Sequence, residues 1–369
     1  MFRAMGMIDV RRFTVATCFG DSGDLEVEDI RLADEDRWDI DLAEVVKVNA
    51  LAVPADRKLT YRVMQHELRL LLSFLVEGPR SPLTLRHADF QASSGHVKRF
   101  ISESFGLGML TAAAERHHGW KDDSDLYNFD VLPAKVAADY SGSGIRPDLL
   151  FDFTDPGHEK RLAGEARGRS SARPVHLVSK DQRDRLADIV AWSGVNYLHP
   201  VTMTYAYTGA ANAQVDLFDI TLPDHLPASS EIVIADEVDV VATRTGRHFE
   251  RLMSIRPRAL DRAREIADQL YATAPQGTLG PTRSVYGQNV RGSWATADLI
   301  ASSGLRFFLG LLDQPLTPEQ AGAPRRRRNA ARQRDADPIQ VAASGRILAV
   351  VARDATQDPD WSEVTSRIE

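Results

Sequence analysis

Cysteine is nearly absent from this 369-residue chain: Cys18 stands alone. A single thiol excludes an intrachain disulfide framework and a cysteine-based zinc site. Lysine is scarce as well, with seven among 45 basic residues, so nearly all positive charge is arginine. Long apolar runs are missing. The most apolar stretch, residues 68–76, carries Arg69 and is too short to span a bilayer. The first residues, MFRAMGMIDVRRF, lack the apolar centre of a signal peptide, so a soluble, cytoplasmic protein without membrane partners is expected. A net charge of -7 argues against indiscriminate coating of nucleic acid, while leaving room for a local basic cleft. Neither a Gly-x-Ser-x-Gly elbow nor a phosphate-loop Gly-Lys-Ser/Thr occurs; "FGLG" at 105–108 is not one.

What is present has ordinary globular composition, 43% hydrophobic and 26% charged, with a length suited to two domains or one large domain with an appendage. No internal repeat is visible. Residues 1–60 read as short strands and turns: FTVATCF, an acidic stretch around 34–41, then VVKVNALAV. From Tyr61 a helix is expected, because Met64, Leu68, Leu71, Leu72 and Leu75 share one face. A second helix is expected over 95–117. His117 and His118 close it as a helix-end pair whose side chains point different ways, not as metal ligands. Ser179 to Gln182 forms a capping-box pattern that starts a helix through Trp192. VTMTYAYTG at 201–209 reads as a strand, as does 231–246. Helices are expected over 259–274 and 296–312, a polar arginine-rich loop over 315–338, and a last strand in RILAVVA. "YGQNVRGSW" at 286–294 is turn-rich and suggests no chemistry. The order of elements predicts a mixed α/β fold.

One hairpin stands out: GIRPDLLFDFTDPGHEKRLAGEARGRSSARP, residues 144–174. Two short apolar runs flank a Pro156-Gly157 turn, and each carries an acid where a core residue is expected. Antiparallel pairing about that turn places Asp148 opposite Glu165, with Cβ atoms roughly 5 Å apart. Strand alternation puts Arg167 on the Glu165 face. Two carboxylates so close in a partly dry site do not both ionise cheaply, so one holds a proton or a cation lies between them. Mg2+ or Mn2+, hard and oxygen-seeking, suits such a pair.

Pro-Asp, a hairpin, then Glu-x-basic resembles the PD-(D/E)XK, or restriction-endonuclease-like, nuclease superfamily over roughly residues 96–210. The resemblance implies an αβββαβ core with N- and C-terminal additions. The expected division is 1–94, a core at 95–222, an α/β region at 223–314, the arginine-rich segment at 315–338 and a terminal strand and tail at 339–369. It further implies that Asp148, Glu165 and the Ala166 carbonyl hold Mg2+ or Mn2+. Glu115 or Glu103 on the preceding helix is a further acid candidate, Glu115 also being assigned to the metal. Arg167 stands at the usual lysine position; it stabilises charge and grips phosphate but is never a general base. Arg169, Arg173 and Gln182 are the candidates for nucleic-acid contact. The expected activity is metal-dependent hydrolysis of phosphodiester bonds in DNA, with RNA open as a substrate. Restriction-like defence or repair, and a homodimer or defence-complex partner, follow from fold analogy alone. The alternative is a catalytically degenerate domain that binds nucleic acid or scaffolds a complex. A two-carboxylate glycosidase is the weaker third reading, since flanking arginines favour an anionic substrate.

Overall fold

The computed structural model describes residues 6–52, 60–76, 82–120, 126–129, 140, 145–153, 161–175, 178–196, 198–209, 211–223, 270, 272–274, 283–297, 299, 304–317, 319–322 and 338–369. The expected strand at 231–246 lies outside them, as do nearly all of the helix at 259–274 and most of the arginine-rich segment. The chain is mixed α/β, as its element order suggests.

A seven-stranded sheet carries the site. Its strands are β1 (Met7–Phe19), β2 (Leu25–Asp39), β5 (Leu126–Asn128), β6 (Leu149–Asp152), β7 (Arg161–Arg169), β8 (Val201–Thr208) and β9 (Ala213–Thr221), in the order β2-β1-β9-β8-β7-β6-β5. β8, VTMTYAYT, is buried at every position, as a central strand covered on both faces must be. β2 is the opposite case. Its sequence LEVEDIRLADEDRWD is largely exposed along one sheet edge, where a row of acids discourages pairing with another chain. The N-terminal region is thus built into the same sheet as the hairpin, through β1 lying parallel to β9.

Helix α1 (Leu42–Leu51) corrects a sequence expectation. VVKVNALAV reads as a strand by its β-branched residues, yet it is helical and buried on nearly all sides. Asp41 caps it by accepting the Glu44 N–H, and packing against both sheets' helices and strands overrides propensity. α2 (Tyr61–Phe74) follows, as its periodicity predicts. A short pair, β3 (Leu75–Val76) and β4 (Thr84–Leu85), leads to α3 (His87–Ala92) and α4 (Gly95–Arg116). α5 (Lys180–Val195) connects the parallel neighbours β7 and β8, as such a crossover requires.

α4 and α5 lie on opposite faces of the sheet. Ala206 packs with Phe105 and Met109 of α4, while Met203, Tyr205 and Tyr207 pack with Leu186 of α5. Along β7 the alternation is equally plain. A Cβ at Gly164 would meet Leu110 at 2.8 Å, and one at Gly168 would meet the Ser102 carbonyl oxygen at 1.6 Å, so these positions face α4. At Gly168 helix and strand touch backbone to backbone, which only glycine permits.

The C-terminal sheet is antiparallel throughout, in the order β10 (Arg283–Val285), β11 (Gln288–Thr296), β12 (Arg306–Leu312), β14 (Ile347–Ala352), β13 (Ile339–Ser344). The first hairpin turns at Tyr286 and Gly287, both with positive φ, so the turn residues in "YGQNVRGSW" serve the backbone. Within the helix expected over 296–312, the described residues include the end of β11 and all of β12 instead. FFLGLL is buried on both faces, and a short run of that kind has no period by which to tell a core strand from a core helix. α6 (Trp361–Ile368) ends the chain, with Val364 and Ile368 buried against this sheet.

Candidate active site

β6 and β7 pair as the sequence suggests: Leu149 opposite Gly164, Leu150 opposite Ala163, Phe151 opposite Leu162. One step beyond β6, the Asp148 N–H donates to the Gly164 carbonyl at 2.9 Å. Its carboxylate accepts the Ala166 N–H at 2.7 Å. Asp148 is therefore tied to β7 by backbone and side chain together, beside Glu165. Because the N–H and C=O of one strand residue point to the same edge, the Ala166 carbonyl lies on the Asp148 side too.

Glu165 is fully buried, on the face turned to α5. Its Oε1 accepts two hydrogen bonds from Arg185, from Nε at 2.8 Å and from an Nη at 2.5 Å. Arg167 brings its Nε to 2.9 Å of the same oxygen. Oε2 is buried and has no hydrogen-bond partner among the described residues. Burial pushes the Glu165 carboxyl up to about 8, and the nearby Asp148 charge adds to the rise, while Arg167 and Arg185 oppose it. Asp148, Ala166, Glu165 and Arg167 thus come together as the hairpin implies.

The remaining candidates go elsewhere. Arg169 pairs with Asp181 at 2.7 Å and lies over the Tyr205 ring at 5.6 Å. Gln182 is fully buried: its side chain closes the capping box with Ser179 and donates to Asp216 at 2.9 Å. Asp216 is also buried, and Arg11 meets both of its oxygens at 2.8 and 2.7 Å. Arg173 approaches the same carboxylate at 3.7 Å and donates to the Asp9 carbonyl at 3.5 Å. Gln182 and Arg173 therefore belong to a second buried network that ties β9, β1 and α5. Glu115 points to α1, where it pairs with Lys47 at 3.1 Å, and burial raises its carboxyl above the usual range. Glu103 is exposed on α4.

Arg185 was not singled out by sequence reasoning. One signal was available: it lies three residues after Gln182, on the same helical face, so a helix that turns Gln182 inward turns Arg185 toward the sheet. In an arginine-rich chain that position carries little weight until the sheet is seen beneath it.

The end of α4 departs from expectation. His117 is the helix C-cap and His118 lies past it, before Gly119 with φ 72°. Because the chain has left the helical path, the two rings do not diverge but meet edge to face at 4.8 Å. Both turn to Asp219 on β9.

The chain matches no protein-family model, no curated protein and no solved structure.

Proposed function

We propose that this protein is a metal-dependent nuclease with a restriction-endonuclease-like core, hydrolysing phosphodiester bonds in DNA. The observation that carries the reading is the buried Oε2 of Glu165 beside Asp148, without a hydrogen-bond partner among the described residues. A buried carboxylate oxygen without a donor is costly unless it is protonated or ligates a cation. Among the described residues α4, β5, β6, β7, α5 and β8 follow in that order, with β6 and β7 antiparallel and β7 and β8 parallel, an order compatible with the αβββαβ arrangement that the resemblance implies.

The donor set fits a hard divalent cation: two carboxylates and the Ala166 carbonyl, all oxygen. Asp148, Glu165 and Ala166 would hold it. Bound there, Mg2+ or Mn2+ supplies Lewis acidity toward the phosphate and lowers the pKa of a bound water. The chain's own groups do the rest. The Ala166 N–H fixes the Asp148 carboxylate, and α5 closes the far side of Glu165 against water. Arg167 is the more exposed of the two arginines on Glu165, and its planar donors suit a phosphate. Hydrolysis then needs a base other than Arg167, which stays protonated.

A second reading has its own observation. Arg167 and Arg185 both fall on Oε1, as in an ion-paired core with no need of metal. In that case the domain binds nucleic acid or a partner without cutting.

Cleavage of supercoiled and linear DNA with Mg2+ or Mn2+, comparing wild type with Asp148→Ala and Glu165→Ala, separates the two. The nuclease reading expects a metal-dependent cut that both variants lose. Absence of both cleavage and metal binding in the wild type supports the degenerate domain.

A further inference from the structure

The second cluster of ligand-type side chains lies on the other face of the sheet. The ligating atoms of His117, His118 and Asp219 all fall within 4.8 Å of one another. His117 Nε2 contacts one Asp219 oxygen, and His118 Nε2 is 3.6 Å from the other. The three side chains are 22%, 18% and 31% exposed, so an ion from solvent reaches them without unfolding anything. We propose that His117, His118 and Asp219 form a binding site for one divalent transition-metal ion of the zinc class, separate from the Asp148–Glu165 pair.

Three features carry this beyond a mere coincidence of residues. First, the donor set is two imidazoles and one carboxylate, which favours zinc-class ions over magnesium. Second, the fold makes the two adjacent histidines converge, by ending the helix at the first of them. Third, the site sits at the C-terminus of a 22-residue helix, whose partial negative charge favours a cation. Asp219 is fixed on β9, between Thr14 of β1 and Thr202 of β8, so the carboxylate comes from a rigid support. Tetrahedral zinc, about 2.1 Å from each ligand, holds ligand atoms about 3.4 Å apart. Binding would draw the wider pair of ligand atoms together and open the close His117–Asp219 contact.

The surroundings name the cost. Thr202 Oγ1 is 3.3 Å from His118 Nε2, and Arg12 is 3.3 Å from His117 Nδ1. Ligation through Nε2 moves each ring proton to Nδ1, so Arg12 must turn from His117. It has another partner in Asp34 at 2.7 Å. Three protein ligands leave a fourth position for water or an anionic ligand, the arrangement of an open rather than a closed zinc site.

The test is a titration of the full chain with Zn2+ against a chromophoric chelator, repeated with Co2+ while recording visible absorption, with Mg2+ in excess throughout. One equivalent is expected, with cobalt bands of mixed nitrogen and oxygen coordination. His118→Gln and Asp219→Asn should weaken binding at least about tenfold, while Glu165→Gln leaves it unchanged. The cobalt spectrum of the wild type reads the ligands without any variant, so a misfolded substitution does not decide the matter. No bound metal, an oxygen-only cobalt spectrum, or loss of binding in Glu165→Gln but not in His118→Gln would each overturn the proposal. The last outcome would leave the Asp148–Glu165 reading standing.

Discussion

Arg185 of α5 donates two hydrogen bonds to a single oxygen of Glu165, while the other oxygen of that buried carboxylate has no partner among the described residues. This lopsided pairing joins the helix to β7. It also leaves one oxygen of Glu165 with an unmet need for a proton or a cation.

The pH dependence of folding follows from it. An unfolded glutamate titrates at about 4.3, whereas Glu165 in the fold titrates at about 8. Between those values the folded state holds a proton that the unfolded chain lacks. The contribution of Glu165 to stability is therefore complete below about pH 4.3 and is lost as pH rises through about 8. Glu165→Gln removes this slope. Urea unfolding at about pH 5 and about pH 8, without metal, should show the variant gaining on the wild type as pH rises; a gap moving the other way would refute the assignment.

A cation at the same place must displace that proton. Mg2+ affinity is expected to climb about tenfold per pH unit below about 8, with protons released on binding. Calorimetry in two buffers of different ionisation heat measures both quantities. A pH-independent affinity would remove Glu165 from the ligand set.

Arg185→Gln should destabilise the fold by about 1.5–3 kcal/mol, the range for hydrogen bonds to a charged group. It should also raise the Glu165 pKa further, since Arg185 holds it down. Chemical denaturation reads the first effect, and carboxyl titration by NMR the second. An unchanged titration would mean that Arg185 is turned away from Glu165 in solution.

The Asp216 network makes a different forecast. Asp216→Ala strands Arg11, itself buried, next to Arg173, and should cost about 3–5 kcal/mol. Gln182→Ala loses a capping contact and one bond to Asp216, about 1–2 kcal/mol. If Gln182 acts only here, that variant lowers the melting temperature and leaves DNA affinity as it was. Filter binding beside a thermal melt distinguishes the two roles.

Two glycines of opposite character test the contact between α4 and β7. Gly168→Ala puts a Cβ at 1.6 Å from the Ser102 carbonyl oxygen, backbone that cannot step aside, so a loss of at least about 1–3 kcal/mol is expected. Gly95→Ala, at the open start of α4 with nothing within 4 Å, should stabilise by about 0.4–1 kcal/mol. Equal effects at the two sites would contradict the close crossing.

Sequence alone determined what depends on near neighbours along the chain. The hairpin register, and with it the placing of Asp148 beside Glu165, followed from a turn and two apolar runs. The capping box of α5 was legible for the same reason, since it is a contact within four residues. Tertiary structure decided the rest. VVKVNALAV is a helix because it is enclosed on nearly all sides, which outweighs its β-branched residues, and FFLGLL is a strand because a sheet surrounds it. Arg185 reaches Glu165 only once α5 lies over β7, and Gln182 and Arg173 meet Asp216 rather than the hairpin for the same reason. His117 and His118 converge on Asp219 because the helix ends at His117, its C-cap, and β9 runs beneath. Such contacts join residues from 20 to 102 positions apart, and no local pattern of side chains encodes them.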